Sequence, residues 1–222
     1  MGNRGIGVVL HVFDVKVKIC GITCLEDALA ACEAGADALG FNFAEEAKAR
    51  GRYIDPEHAR SIIARLPPFI SATAVCVNES ADRMAEYLSF VDRVQLHGEE
   101  SVETCAAMGA RAIKAFRAAP DFEVETMRSY PAGAYLLDAF APDARGGTGR
   151  TADWKLARQA VSLGKPLILA GGLTPDNVAD AVRAVRPYAV DTAGGVESAP
   201  GKKDHDKVRR FVANAKRALF VS

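Results

Sequence analysis

Short apolar runs alternate with amphipathic stretches along most of the chain, and the alternation occurs eight times. Several runs are apolar at nearly every position, which is typical of parallel strands that are covered on both faces. The amphipathic stretches have the apolar spacing of helices that bury one face. The pattern therefore predicts eight strands and eight helices in strict alternation.

The boundaries of these elements can be placed from the pattern. The predicted strands are residues 15–19, 38–43, 70–77, 93–96, 111–116, 134–138, 166–170 and 188–192. The predicted helices are residues 25–34, 56–66, 81–90, 101–108, 122–129, 153–163, 175–185 and 206–219. A capping residue precedes proline at Asp55-Pro56 and at Thr174-Pro175, which is a signal for the first turn of a helix.

Strict alternation with short links is compatible with a closed eight-stranded barrel or with an open doubly wound sheet. Eight repeats without a nucleotide-binding glycine fingerprint after the first strand favour the closed barrel. The predicted fold is therefore α/β, a single (β/α)8 TIM barrel with parallel strands. Residues 15–222 are expected to form this catalytic domain, and residues 1–14 are interpreted as a poorly ordered N-terminal extension.

Composition narrows the class of partner. The chain has 28 Lys and Arg against 28 Asp and Glu, so no excess of positive charge favours nucleic acid or a membrane surface. Five cysteines, scattered and odd in number, indicate a reducing compartment, and we expect the cytoplasm. The apolar segment 8–13 is too short to span a bilayer. A small-molecule partner is expected, with the assembly left open between a monomer and a homodimer.

Two candidate catalytic residues stand at strand ends. In such barrels the chemistry lies at the mouth formed by the carboxyl ends of the strands. Cys20 follows the first strand and Asp138 ends the sixth, and in a closed barrel strands seven and eight fill the gap between them. A carboxyl shielded from water can act as a general acid, and a thiol ionised by a neighbouring cation as a general base. The alternatives are a capping role for Asp138 and a packing role for Cys20.

The identity of that cation is open at this point. Lys18 need not supply it, because adjacent residues of a strand point to opposite faces.

Glycine pairs suggest where a substrate is anchored. Gly171 and Gly172 follow the seventh strand, and Gly194 and Gly195 follow the eighth. These two loops commonly form a phosphate site, because glycine lets backbone amides approach an anion. A phosphorylated substrate is therefore expected, although each pair alone could serve only a tight turn. A third cluster, residues 146–149, follows the sixth strand.

Histidine and cysteine could also bind metal. His97 ends the fourth strand, where it lines the mouth or caps the next helix, and Cys20, Cys24 and His97 could form a soft site. The paired spacing of a zinc site is missing, so no metal is predicted. His58 and His205 fall in helical or capping contexts and are expected to be solvated.

Nine segments resemble, in this order, motifs of the phosphoribosylanthranilate isomerase family. They are residues 18–23, 35–41, 52–54, 94–99, 136–138, 146–149, 171–178, 195–197 and 201–204. The first-strand cysteine motif together with the segment 95–98 at the fourth strand end is distinctive. The resemblance implies a TIM barrel that performs an Amadori rearrangement in tryptophan biosynthesis.

The resemblance also implies roles for residues. It makes Cys20 the general base, Asp138 the general acid and Arg52 a contact to the anthranilate carboxylate or a positioner of substrate. No metal or organic cofactor is implied, because the substrate nitrogen becomes the electron sink. The residues interpreted as binding substrate are Arg52, His97, Gly171, Gly172, Ala193, Gly194 and Gly195.

The eighth-strand loop departs from the family pattern. The family usually has valine and two serines at the positions of Thr192, Ala193 and Gly194. Hydroxyl contacts to phosphate would be lost, while backbone amides would remain. This departure supports one alternative, a phosphate-binding paralogue without turnover. A second alternative is another sugar-phosphate isomerase or epimerase, since a fold alone does not determine chemistry.

The loop that carries Arg52 departs as well. Residues 44–51 form a longer link than is usual in the family, and Arg50 within it competes for the arginine role. Arg52 is preferred because Tyr53 and Ile54 follow it, as in the family motif. The alternative is that both arginines are solvated loop residues.

Overall fold

The computed structural model describes residues 14–119, 121–138 and 154–219. Eight parallel strands form a closed barrel in which each strand pairs with the next and the eighth pairs with the first. The strands are β1 Lys16–Cys20, β2 Ala38–Asn42, β3 Ser71–Cys76, β4 Arg93–Leu96, β5 Ala112–Arg117, β6 Ala134–Asp138, β7 Leu167–Ala170 and β8 Ala189–Thr192. The predicted (β/α)8 TIM barrel is confirmed.

Helices follow the strands on the outside of the barrel. They are α1 Leu25–Glu33, α2 Pro56–Ile63, α3 Ala81–Tyr87, α4 Val102–Met108, α5 Trp154–Val161, α6 Val178–Val185 and α7 His205–Arg217. Asp55 caps α2 as predicted, and its carboxylate accepts hydrogen bonds from the backbone of Glu57 and His58. The predicted helix 122–129 is instead a 3-10 helix, Val124–Ser129.

The predicted helix 175–185 begins three residues late, at Val178. The carboxamide of Asn177 accepts a hydrogen bond from the backbone N–H of Thr174 and donates one to the carbonyl of Gly172. The residues before Val178 are thereby held in a turn that continues the β7 loop, because asparagine competes with helix formation through such local bonds.

Short elements without a predicted counterpart lie near the barrel mouth. A 3-10 helix, Glu45–Arg50, fills the long β2 loop, and another, Gly194–Val196, follows β8. Strands β9 Glu197–Ala199 and β10 Lys202–Lys203 then form an antiparallel hairpin. Such elements have too few residues to show a periodic pattern, so the sequence gives no signal for them.

Alternate strand residues face the barrel interior, which has an apolar half and a polar half. Apolar side chains of β5 to β8 form one buried cluster inside the barrel: Ile113, Ala115, Leu136, Ile168, Ala170 and Ala189. Buried polar side chains at inward positions of β1, β3, β4 and β8 are Lys18, Thr73, Gln95 and Asp191. The apolar half supports the fold, and the polar half lies below the candidate site.

Two of the sequence-based expectations concern residues that the structure does not describe. The glycine cluster 146–149 and residues 1–13 of the predicted extension lie outside the described residues. Asp14, the last residue of that extension, lies 3.9 Å from the ammonium groups of Lys16 and Lys216. In the described part of the chain, no helix is both long and apolar enough to cross a membrane.

Candidate functional site

Cys20 is the last residue of β1, and its side chain faces the interior at the mouth. The residue is only 9% exposed. A Cβ added to Gly40 of β2 would lie 2.8 Å from the Cys20 Sγ and 3.1 Å from the Lys18 Nζ. The absence of a side chain at Gly40 therefore leaves the space in which the thiol and the ammonium group meet.

Lys18 is the cation beside the thiol, which corrects the sequence-based expectation. Residues 18 and 20 are two positions apart and share a face, since it is Ile19 between them that points to the other side. The Lys18 side chain is 3% exposed, and its Nζ lies 2.8 Å from Asp191 Oδ1 on β8. The thiol thus lies beside a buried ion pair that joins β1 to β8.

The environment acts on the Cys20 thiol in two directions. Burial raises its pKa above the ordinary value, Asp191 raises it further, and the ammonium groups of Lys18 and Lys203 lower it. Burial outweighs the cations, so the pKa remains raised. For Lys18, burial alone lowers the pKa, but Asp191 and Cys20 raise it by more, which keeps the ammonium group charged.

Replacing Lys18 by methionine is expected to raise the pKa of the Cys20 thiol further, because a favourable charge within a few ångströms is lost. The acidic limb of the pH–rate profile should move to higher pH, and kcat/KM near neutral pH should fall about 10- to 100-fold. Rates of turnover and of thiol alkylation across a pH series measure both effects. Lys16→Met, at the opposite end of β1, is the matched control. An unchanged pH profile in the Lys18 variant would remove Lys18 from thiol activation.

His97 and Asp138 lie at the same mouth, at the ends of β4 and β6. Burial lowers the pKa of His97, whereas the negative charge of Asp138 opposes that shift. The charges of Lys18 and Asp191 also act on this imidazole. The Nδ1 of His97 lies 2.7 Å from the Nε2 of Gln95. The mouth thus joins Asp138, a neutral histidine and the charged groups around Cys20 in one electrostatic environment.

The β7 and β8 loops pack directly on one another. A Cβ on Gly195 would lie 1.9 Å from the carbonyl oxygen of Leu173, and the hydroxyl of Thr192 donates to that same oxygen at 2.8 Å. Only glycine allows this approach. In the described part of the chain, the backbone N–H groups of Gly172, Gly194 and Gly195 have no hydrogen-bond acceptor. Two adjacent loops therefore present free amide donors at one place, which suits an anion.

The described structure separates the two candidate arginines. Arg50 is exposed at the end of the 3-10 helix in the β2 loop. Arg52 is partly buried, and a Cβ added to Gly21 or to Gly194 would lie 3.2 Å or 2.7 Å from its side chain. Arg52 therefore lies against the β1 and β8 loops that flank Cys20.

Three charged residues beside these side chains received no role from the sequence. Asp191 pairs with Lys18, while Glu197 and Lys203 bind Arg52 and the backbone of Cys20 respectively. Inward parity along β8 would have indicated Asp191. Glu197 and Lys203 lie in segments that resemble family motifs, but no local pattern shows which groups they contact.

His205 was expected to be solvated, and the structure corrects this expectation. Its Nε2 lies 2.8 Å from the buried carboxylate of Asp27.

No group of three or more His, Cys, Asp or Glu side chains within the described ranges is arranged to hold a metal ion. In the described part of the chain, Cys20, Cys24 and His97 are therefore not grouped as metal ligands.

Comparisons with known proteins identify the family. A family model described as N-(5'phosphoribosyl)anthranilate (PRA) isomerase matches residues 17–214. The chain belongs to this family. The PRA isomerase of Geobacter metallireducens is 53% identical to it over 204 residues, which cover 91% of this chain and 99% of the relative.

Solved PRA isomerase structures have the same fold. The enzyme from Thermotoga maritima matches with a TM-score of 0.81 and 45% identity, over 90% of this chain and 98% of that one. A structure in complex with reduced 1-(o-carboxyphenylamino)-1-deoxyribulose 5-phosphate matches with a TM-score of 0.78 and 42% identity, over the same shares. The family and the enzyme class predicted from sequence are confirmed.

Proposed function

We propose that this chain converts N-(5'-phosphoribosyl)anthranilate to 1-(o-carboxyphenylamino)-1-deoxyribulose 5-phosphate, the Amadori step of tryptophan biosynthesis. One observation carries the residue roles. Cys20 and Asp138 end strands β1 and β6 at inward-facing positions, and the paired loops of β7 and β8 lie between them. A sugar whose phosphate is bound by those loops would be presented to both groups.

Binding would begin with the phosphate. The free N–H groups of Gly172, Gly194 and Gly195 would hold its oxygens, with Gly171 and Ala193 supplying the surrounding backbone. This arrangement uses no hydroxyl group, so the absence of the two usual serines is compatible with it. Arg52, at the edge of the same loops, would bind the carboxylate of the anthranilate ring.

Asp138 would act first, as the general acid. It would protonate the ribose ring oxygen while the bond from that oxygen to C1′ breaks and the nitrogen lone pair forms a Schiff base. The uncharged His97 is proposed to line this part of the mouth and to contact the sugar.

Cys20 would complete the rearrangement. As the thiolate it would remove the proton from C2′, the electron pair would move toward the iminium nitrogen, and the resulting enolamine would tautomerise to the ketone. Lys18 would stabilise the thiolate during this step. The substrate nitrogen accepts the electrons, so we propose that no cofactor takes part.

The setting of the enzyme is part of the proposal. We assign the catalytic domain to residues 15–222, with residues 1–14 as an extension outside it. We propose that the protein works in the cytoplasm, as a monomer or a homodimer.

Turnover of N-(5'-phosphoribosyl)anthranilate tests the function. The fluorescence of the anthranilate adduct should decay when the purified chain is added, and the gene should restore growth without tryptophan to a strain that lacks the isomerase. An unchanged signal and no growth would refute the proposal. Ligand binding without product would establish the non-catalytic alternative, and activity abolished by a chelator would favour another isomerase.

A further inference from the structure

Arg52 is held by a carboxylate on one side only. Its Nε donates to Glu197 Oε1 and its Nη2 to Glu197 Oε2, each at 2.8 Å. The guanidinium group has five N–H donors, of which this contact uses two. In the described part of the chain, Nη1 has no hydrogen-bond partner. The edge formed by Nη1 and the second Nη2 proton therefore remains available to a ligand.

Lys203 binds the same carboxylate of Glu197. Its Nζ donates to Glu197 Oε1 at 3.0 Å, to the carbonyl of Cys20 at 2.7 Å and to the carbonyl of Ala193 at 3.3 Å. These three acceptors use all the donors of an ammonium group. The Lys203 side chain is completely buried. Lys203 therefore cannot itself bind substrate, but it ties the β1 and β8 strand ends to Glu197.

The backbone around these residues is held equally closely. A Cβ on Gly201 of the β9–β10 hairpin would lie 1.9 Å from the carbonyl oxygen of Gly51, the residue before Arg52. The hydroxyl of Thr23, in the β1 loop, donates to the carbonyl of Gly201 at 3.0 Å. The buried Asp27 of α1 accepts the backbone N–H of Lys203 at 2.9 Å. The hairpin is thus fixed against both loops that border the site.

We propose that Glu197 and Lys203 position Arg52 for the recognition of a substrate carboxylate. We call these two residues the arginine clamp. The clamp turns the Nη1 edge of Arg52 toward the mouth, where it binds the carboxylate of an N-aryl substrate. This inference rests on the proposed function of Arg52 and extends it to two residues that do not touch substrate.

The charges of the clamp explain why it needs two residues. A carboxylate alone would fix the arginine but cancel its positive charge. With Lys203 present, two cations surround one carboxylate, so a net positive charge remains for the substrate anion. An arginine fixed in this way also loses less side-chain entropy on binding, which favours affinity.

Two stable ligands isolate the effect of the clamp. One is reduced 1-(o-carboxyphenylamino)-1-deoxyribulose 5-phosphate, and the other is its counterpart made from aniline, which lacks the carboxyl group. Calorimetry gives the Kd of each, and the ratio of the two values measures carboxylate recognition alone. We expect wild type to favour the carboxylated ligand about 10- to 100-fold, as for a charge-assisted hydrogen-bond pair.

Variants then show which side chains produce this ratio of Kd values. Arg52→Ala should bring it to about one, and Glu197→Gln should lower it about 5- to 10-fold, with kcat less affected than KM. The double variant should match Arg52→Ala, because the clamp acts only through the arginine. Glu100→Gln, in the other buried lysine–glutamate pair with Lys114, is the matched control and should lower stability without changing the ratio.

The outcomes are distinct. If the wild-type chain does not turn over substrate, the proposed function fails. If it does, but Glu197→Gln weakens both ligands equally or neither, the clamp is refuted and the function stands. Circular dichroism checks the fold of each variant. If Glu197→Gln is unfolded, Glu197→Asp keeps the charge but shortens the reach, and an unchanged ratio there would equally refute the clamp.

Discussion

Replacement of Cys20 by serine is expected to lower kcat about 100- to 10,000-fold, the range for loss of a general base, while KM changes little. The hydroxyl of serine fits the space beside Gly40 and Lys18, but it is far less acidic than a thiol and supplies almost no anion. The loss should therefore fall on proton removal from C2′. Steady-state kinetics that follow the fluorescence of the adduct give both constants.

The control is a cysteine of similar burial outside the mouth. Cys105 lies in α4 and is fully buried, so Cys105→Ser tests for a general effect of removing a buried thiol. It should leave kcat within about two-fold of wild type, since a small change in packing costs stability rather than turnover. A Cys20→Ser enzyme that turns over at nearly the wild-type rate would exclude Cys20 as the base.

The raised thiol pKa also gives a direction for the pH dependence of wild type. The thiolate is the active form, and burial disfavours it. Activity limited by this group should therefore rise with pH toward the raised pKa, and the free thiol should be alkylated slowly at neutral pH.

Replacement of Asp138 by asparagine is the second large effect. Asparagine has nearly the same shape but no acidic proton, so ring opening would lose its acid and kcat should fall about 100- to 10,000-fold. KM should change much less, because the phosphate and carboxylate contacts lie elsewhere. Kinetics with the same adduct measure both values.

The control for this variant is Asp180→Asn on the exposed face of α6, where the carboxylate pairs with Arg183. It should be close to wild type, as expected for a surface ion pair. If Asp138→Asn retained wild-type kcat, the acid would have to be sought in another residue of the mouth.

Much of the fold was predictable because its signals are local. Most strand residues are buried on both faces of the barrel wall, and several strands therefore read as nearly continuous apolar runs of the expected length. A predicted helix boundary was wrong where a side chain competes with the backbone for hydrogen bonds. The helix 175–185 begins late because Asn177 closes a turn with Thr174, and the hairpin after β8 is too short to show a period.

The candidate site was predictable to the extent that barrel topology places strand ends together. That rule places Cys20, Asp138 and the paired glycines at one mouth, whereas the catalytic roles of Cys20 and Asp138 are what the family resemblance implies. The role of Lys18 could have been predicted, because Lys18 lies two residues before Cys20 and side chains two positions apart on a strand point to the same face. Arg52 and Glu197 are 145 positions apart in the chain, so their bidentate contact is visible only in the folded structure.

We propose that Cys20 and Asp138 transfer protons to and from the same sugar, and one comparison of two proteins is decisive. Fluorescence of N-(5'-phosphoribosyl)anthranilate is followed with the wild-type chain and with a folded Cys20→Ser, Asp138→Asn double variant. We expect rapid decay with wild type, and with the double variant only the slow decay seen without enzyme. Decay at nearly the wild-type rate in the double variant would contradict it.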